Sequence, residues 1–267
     1  MSSTIRTDRV KLLIFIKKRK DMSVDEFEKY WLKEHSRVYS SFVEGKKEPL
    51  VYEQMHINHE EKEKMKALGW PILDYDGVVA FEAKSFESLE GLLDGDEYVK
   101  TVIPDELKFT TREAALVVKL RIASIVPHTE KKVPLPETEL KKNRARMMYA
   151  FDTKEGMTDE DMRKAWMEGH VAAMWSTPIG KQVIKYEQLY IAEPIVGLPN
   201  AEGAPPPKWA GIALMDVPSF EAVKEPETAR ILSGDTAKWQ DPASQVCLPL
   251  NIATIIDREM TENVLTQ

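Results

Sequence analysis

The sequence predicts an α+β fold of two βαββαβ repeats in tandem. Three observations carry the prediction: one stretch is written twice, strand and helix signals recur in the same order in both halves, and a proline-rich, charged join separates them. The duplicated stretch runs from Val10 to Phe42, where Leu12-Leu13-Ile14-Phe15-Ile16 leads through a basic turn into Ser23-Val24-Asp25-Glu26-Phe27 and on to Tyr30-Trp31 and His35. Its echo is Met147-Met148-Tyr149-Ala150-Phe151, then Thr158-Asp159-Glu160-Asp161-Met162, Trp166 and His170. Met22 and Met157, Trp31 and Trp166, and His35 and His170 are each 135 positions apart, which identifies a duplication.

Taken in order, Val10 to Lys17 is apolar nearly throughout, as expected of a strand buried on both faces. Ser23, with Glu26 three residues on, supplies a capping box, so a helix should start there. Its inward stripe is expected to be Val24, Phe27, Trp31, His35, Val38 and Phe42. From Leu50 to Asn58 the period becomes two, with Val51, Glu53, Met55 and Ile57 on one face and Tyr52, Gln54 and His56 on the other. The second half repeats this at an offset of 134, with Leu189 and Ile191 on one face and Tyr186, Gln188 and Tyr190 on the other. We expect the apolar faces to pack on helices and the Tyr-Gln faces to line a half-polar cavity.

Glu60 to Lys66 reads as a charged stretch of a connection that runs on to Asp74, and 192–208 as its proline- and glycine-rich counterpart; the lengths of 60–74 and 192–208 are compatible with lids. A third strand follows at 76–82 and again at 210–216, each leading into a helix capped by Ser85 or Ser219. Asp105 to Phe109 then matches Asp235 to Trp239 at an offset of 130, and a last strand closes each half at 115–126 and 246–256. The domains so defined are residues 1–126 and 144–267, joined by a linker at 127–143. A βαββαβ unit makes a four-stranded antiparallel sheet with both helices on one face, the ferredoxin-like arrangement. Two units packed by their open faces give an eight-stranded barrel with helices outside, the intramolecular version of a dimeric α+β barrel.

Composition narrows the function. The longest apolar runs fall well short of the roughly 20 residues of a membrane span, and Met1-Ser2-Ser3-Thr4 opens no apolar leader, so a soluble, cytoplasmic protein is expected. A lone cysteine, Cys247, makes no internal disulfide and fits a reducing compartment. A net charge of −7 argues against a nucleic-acid partner, and Lys17-Lys18-Arg19-Lys20, with no basic counterpart in the second half, reads as a solvated turn. No dinucleotide fingerprint, phosphate loop or nucleophile elbow is present. His56 and His59 form a short His-x-x-His pair, but strand alternation turns residues three apart to opposite faces, so no metal site is expected.

The run Phe15-Ile16-Lys17-Lys18-Arg19, with Ser23 to Phe27, Tyr30-Trp31 and His35, resembles the EthD family of dimeric α+β barrel proteins. Asp105 and Asp235 match the family's Asp near the end of the second helix, and about two thirds of each half is covered by the resemblance. The second half departs from it, with Met162 for Phe27, Ala165 for Tyr30 and no basic strand end, which argues against equal activity of the two halves. The resemblance implies a small-molecule pocket in each half and, as in several relatives, cofactor-free dehydratase, decarboxylase or cyclase chemistry on aromatic or polyketide metabolites. A homodimer of the duplicated chain is one arrangement compatible with it.

The candidate catalytic residues are His35 and His170, since an imidazole at the edge of a desolvated cavity can take a proton from one atom and return it to another. The plain alternative is a helix-end histidine bonded to a backbone carbonyl. Tyr52, Gln54, His56, Tyr186, Gln188 and Tyr190 are candidates for holding a phenol or carbonyl oxygen, with strand packing as their ordinary role. Trp31 and Trp166, and more distantly Trp175 and Trp209, are candidates for stacking on a flat substrate. The expected function is a cofactor-independent lyase acting on a hydrophobic oxygenated small molecule. A cofactor-free monooxygenase of the same fold and a non-catalytic binding module are the alternatives.

Overall fold

A computed structural model describes residues 5–127, 135–197 and 206–258. The first repeat runs β1 (Val10–Ile16), α1 (Val24–Lys29), a π-helical turn (Tyr30–His35), α2 (Ser36–Phe42), β2 (Val51–Ile57), α3 (His59–Ala67), β3 (Gly77–Ala83), α4 (Phe86–Leu93), α5 (Asp96–Glu106) and β4 (Leu116–Val126). The second runs β5 (Ala145–Phe151), α6 (Asp159–Lys164), a second π-helical turn (Ala165–His170), α7 (Val171–Trp175), β6 (Lys185–Ile191), a short β7 (Val196–Gly197), β8 (Gly211–Val217), α8 (Pro226–Thr236) and β9 (Val246–Asp257).

Each repeat forms a four-stranded antiparallel sheet, β2-β3-β1-β4 and β6-β8-β5-β9. The sheets join edge to edge, β2 against β9 and β4 against β6, so the eight long strands close into a barrel with no free edge between the repeats. The barrel interior is packed with Leu13, Phe15, Met55, Val78, Met148, Leu189, Ile212 and Leu250. A second layer lies between each sheet and its helices. It holds Phe27, Trp31, Tyr39, Tyr52 and Phe109 in the first repeat, and Met162, Trp166, Met174, Tyr186 and Trp239 in the second.

The expected cap is present: Ser23 Oγ accepts from the Glu26 amide at 3.2 Å, and Glu26 Oε2 accepts from the Ser23 amide at 2.9 Å. The helix that follows is not a regular α-helix. In an α-helix, residues four apart drift around the axis, but the π turn takes an extra residue and cancels that drift. Phe27, Trp31, His35 and Tyr39 therefore stay on the buried line, and Tyr39 replaces Val38, which is only half-buried. The second repeat has the same device with Met162, Trp166, His170 and Met174.

The two faces of β2 alternate as expected but point the opposite way. Met55 and Ile57 face the apolar barrel interior, while Tyr52, Gln54 and His56 face the helix, which supplies a backbone carbonyl and aromatic rings to receive them. The same holds for Leu189 against Tyr186, Gln188 and Tyr190.

Glu60 to Lys66 is no loose lid. It forms α3, capped by Asn58, and buries Met65 in the second repeat's outer core, with Glu61 bound to Lys224 at 2.9 Å. Pro71 and Leu73 then bond the backbone of Cys247 at 2.8 and 3.2 Å, which pins this segment to the sheet. Of the other connection, residues 198–205 lie outside the described residues. Ser219 makes no side-chain cap; Phe220–Lys224 is a 3-10 turn, and Glu225 caps α8 instead.

One set of polar residues points into the barrel. Lys11 on β1 binds Glu82 on β3 at 3.1 Å and Glu187 on β6 of the other repeat. Arg146 on β5 binds Asp216 on β8 at 2.6 Å and Glu53 on β2 of the other repeat at 2.7 Å. The two triads are copies of one pattern, and each crosses between the repeats. Burial alone would raise the Glu53 carboxyl, but Arg146 and Lys185 outweigh it and hold the group well below the usual carboxylate range.

Candidate active site

The two π turns deliver the two candidate histidines to matching acids. His35 Nδ1 lies 2.9 Å from Asp105 Oδ2, and His170 Nδ1 lies 2.9 Å from Asp235 Oδ2. Both acids sit near the end of the helix that precedes the last strand of their repeat, so one helix supplies the base and the other its partner. An ionised carboxylate accepts only, so the Nδ1 hydrogen points to the acid and leaves the Nε2 lone pair for chemistry. No protein group bonds Nε2 of either histidine among the described residues.

The dyads differ in their surroundings. Asp105 accepts two further bonds, from the Tyr30 hydroxyl at 2.6 Å and from Lys108 at 3.1 Å. Burial would raise the Asp105 carboxyl, but the bonds from His35, Tyr30 and Lys108 outweigh it and hold the group down at about 2. His35 packs on Phe109, with ring centres 4.9 Å apart, and is 4% exposed. At Asp235 the Trp239 indole donates at 3.2 Å in place of a tyrosine, because Ala165 stands where Tyr30 does. The His170 bond, more than any other, holds the Asp235 carboxyl below its usual value.

Tyr30 and Lys108 also line an open cleft of about 460 Å³ with Arg19, Asp21, Met22, Glu26, Lys29 and Glu34. The cleft thus ends on the two side chains that bond Asp105, while His35 and Asp105 themselves do not line it. The basic turn supplies one wall, although its charges are largely committed: Lys17 binds Asp74 at 2.6 Å, Lys18 binds the Met22 carbonyl at 2.7 Å and Arg19 binds Asp21 at 2.6 Å.

The other sequence-identified residues gather behind the histidines, between helix and sheet. In the first repeat Trp31 and His56 have ring centres 4.3 Å apart. Gln54 Nε2 donates to the Trp31 carbonyl at 2.9 Å and to the Tyr52 hydroxyl at 3.0 Å, and its oxygen lies 3.2 Å from His56 Nε2. Both amide hydrogens of Gln54 are thus used inside the protein. Gln188 makes the same two donations, to the Trp166 carbonyl at 2.9 Å and the Tyr186 hydroxyl at 3.3 Å. The glycine that opens β3 or β8 makes room for each indole: a Cβ on Gly77 would reach Trp31 Cη2 at 2.8 Å, and one on Gly211 would reach Trp166 Cη2 at 2.9 Å.

Trp175 is 42% exposed and stands outside this cluster, and Trp209 packs inside the barrel beside Phe15. Tyr30 entered the sequence reading only as part of the Tyr30-Trp31 pair; Tyr39, Lys108 and Phe109 join the site as well, and of these the match of Asp105–Phe109 to Asp235–Trp239 pointed only toward Lys108 and Phe109. Among the described residues no cluster of His, Cys, Asp and Glu is arranged to hold a metal ion, and no helix is long and apolar enough to cross a membrane.

Comparison with known proteins agrees with this architecture. Solved structures with the same arrangement include a candidate monooxygenase from Lactobacillus acidophilus NCFM, with a TM-score of 0.53, 10% identity and coverage of 94% of this chain and 97% of that one. An anthrone oxidase-like protein aligns with a TM-score of 0.55 and 13% identity over 92% of each chain. A candidate chlorite dismutase aligns with a TM-score of 0.51 and 12% identity over 95% of this chain and 96% of that one. At such identities the likeness is one of fold, and it spans both repeats. No curated protein sequence matches the chain. The EthD domain model matches residues 19–113, from the basic turn through the His35–Asp105 dyad to the start of β4's approach. The first repeat therefore matches an EthD domain, and the second repeats the same fold.

Proposed function

We propose that the first repeat is the active one and that it catalyses a cofactor-independent lyase reaction, a dehydration, decarboxylation or cyclisation, on a hydrophobic oxygenated molecule of aromatic or polyketide type. The observation that carries this reading is the His35–Asp105 pair at 2.9 Å, presented by a π-helical turn and buttressed by Tyr30 and Lys108, which themselves line an open cleft. Asp105 fixes the imidazole with Nε2 free and stabilises the imidazolium once a proton is taken up. Nε2 takes a proton from a carbon next to a carbonyl or from a phenol. The same proton, returned to a hydroxyl on the neighbouring carbon, expels water and leaves a double bond. Burial of the dyad keeps water from competing for that proton.

A second reading shares the first step. An enolate or phenolate made by His35 can react with molecular oxygen, and the fold neighbours named as a candidate monooxygenase and an anthrone oxidase-like protein favour this branch. The test is incubation with a panel of hydroxylated aromatic ketones, followed by mass spectrometry and an oxygen electrode. Loss of water or carbon dioxide without oxygen uptake, abolished by His35→Ala but not by His170→Ala, supports the lyase. Oxygen uptake matched to product selects the monooxygenase. No turnover by the wild-type chain on the panel counts against both and leaves a binding module.

A further inference from the structure

Taking a proton from a carbon beside a carbonyl moves negative charge onto the carbonyl oxygen, so a base is half of the machinery and a donor must meet that oxygen. The strand residues that the sequence offered for this task are turned away: both amide hydrogens of Gln54 are spent, on the Trp31 carbonyl and the Tyr52 hydroxyl. The open cleft is lined by Tyr30 and Lys108 and not by His35 or Asp105. The Tyr30 hydroxyl hydrogen is committed to Asp105 Oδ1 at 2.6 Å, which leaves Tyr30 only lone pairs to offer. Lys108 is then the cleft-lining group that both touches the dyad and has a hydrogen to give.

We infer that Lys108 is a catalytic residue of the first repeat, whose ammonium binds the substrate oxygen that becomes an oxyanion when His35 takes the proton. This deepens the proposed function and rests on His35 being the base. The C–H bond breaks, its proton goes to Nε2, and its electron pair becomes the enolate double bond, with the charge on the oxygen that Lys108 holds. Lys108 Nζ binds Asp105 Oδ1 at 3.1 Å and His35 Nδ1 binds Oδ2 at 2.9 Å, so donor and base grip the two oxygens of one carboxylate. Once His35 is an imidazolium it offsets Asp105, and the ammonium's charge is left for the oxyanion. At most two of the three Lys108 N–H groups are engaged, by Asp105 and Tyr30, and the side chain is 60% exposed. The bond to Asp105, ahead of that to Tyr30, raises Lys108 above its ordinary value and keeps it charged. The neighbouring Arg19 is already held, by Asp21 at 2.9 and 2.6 Å and by the Leu107 carbonyl at 3.3 Å. In the second repeat Lys238 stands 3.5 Å from Asp235, and Ala165 supplies no hydroxyl beside it.

The test uses 4-nitrophenol, whose yellow phenolate imitates an enolate oxygen, titrated into the full chain on both sides of its ionisation. The phenolate is expected to bind at least about tenfold tighter than the phenol. Lys108→Met is expected to lose that preference, Lys108→Arg to keep it within about threefold, and Lys238→Met to leave it unchanged. Solvent deuterium exchange at the carbon next to the carbonyl of the ketone panel reads the chemistry. Lys108→Met is expected to slow exchange about 10²- to 10³-fold, and methylammonium in solution to restore part of it to Lys108→Ala, a rescue that a merely structural lysine would not show. His35→Ala is expected to keep the phenolate and lose exchange. A phenolate preference that survives Lys108→Met, or exchange that survives Lys108→Met but not His35→Ala, would overturn the inference. Lys108-dependent phenolate binding without exchange in the wild-type chain would uphold the oxyanion site and overturn His35 as the base, so the two failures are told apart.

Discussion

Replacing Arg146 by methionine is expected to destabilise the chain by about 3–5 kcal/mol, the range for removing one partner of a buried ion pair. Arg146 is wholly buried, and its guanidinium reaches Asp216 through Nε at 2.6 Å and Nη2 at 2.9 Å and Glu53 through Nη1 at 2.7 Å. Methionine occupies much of the same volume, so the loss is chiefly of charge. For a chain of this size roughly 2–4 °C accompanies each kcal/mol, so the melting temperature should fall by about 6–20 °C. The loss should also depend on pH. Burial pushes the Glu53 and Asp216 carboxyls up, but Arg146 and its cationic neighbours outweigh it and hold both below their usual values. Such groups contribute stability that is present above their unfolded pKa near 4 and is lost as pH falls through the folded value. Without Arg146, burial dominates and raises at least one carboxyl above its unfolded value, so the folded variant takes up a proton that the unfolded chain does not hold at neutral pH. Its deficit should therefore be largest near pH 7 and shrink as pH falls toward about 4–5. Scanning calorimetry of the wild-type and Arg146→Met chains across that range measures both effects. A loss under about 1 kcal/mol with parallel pH profiles would refute the reasoning, because it would mean that Arg146 is not what compensates the two carboxylates.

Four further outcomes are expected. Gly77→Ala drives a methyl group into the Trp31 indole and should cost about 1–3 kcal/mol in urea unfolding, with Gly211→Ala behaving alike through Trp166. Asp105→Asn should lower kcat about 10²- to 10⁴-fold on a turned-over substrate with little change in KM. It should also remove the stability that the wild-type Asp105 supplies above its unfolded pKa and loses as pH falls through about 2. Ser23→Ala removes the cap on α1 and should cost about 1 kcal/mol by thermal melting. Cys247 is 2% exposed, and burial raises its thiol to about 12, so a thiol reagent should label the native chain only at the rate of unfolding; rapid native labelling would contradict its burial.

The repeat offset was enough to read the order of strands and helices, because Trp31 with Trp166 and Tyr52 with Tyr186 each lock one element to its copy. The direction in which β2 faces was not legible. A period of two separates Tyr52, Gln54 and His56 from Met55 and Ile57 but does not say which set meets the helix, and here the helix offers the Trp31 carbonyl to Gln54. The π turn was hidden because Phe27, Trp31 and His35 at steps of four suit an α-helix equally well; only Tyr39 displacing Val38 reveals it. α3 read as a connection since Glu60 to Lys66 is nearly all charge, and the one deeply buried apolar side chain, Met65, is held by the other repeat. His35 was identified as a candidate base, whereas its partner Asp105 was visible only through its match to Asp235 and to the family's Asp, not as a partner of His35, because a pairing across 70 residues leaves no local spacing. The barrel charges were invisible for the same reason, each lone charge in an apolar strand finding its complement in the distant repeat.

Those barrel charges have an evolutionary consequence. In a homodimer built by a twofold axis, the same side chain stands on both sides, and any substitution arrives twice. Here Lys11 takes the place on one side that Arg146 takes on the other, and Glu82 the place of Asp216. Glu187 accepts an ammonium across the junction and Glu53 a guanidinium, so the two halves keep the acid and differ in the cation. Two free copies of one half would still pair each cation with a glutamate, Lys11 with Glu53 or Arg146 with Glu187, but both junctions would then carry the same cation. The peptide chain that joins the halves thus permits mutations to be sampled one side at a time, and it allows a division of labour that symmetry would forbid.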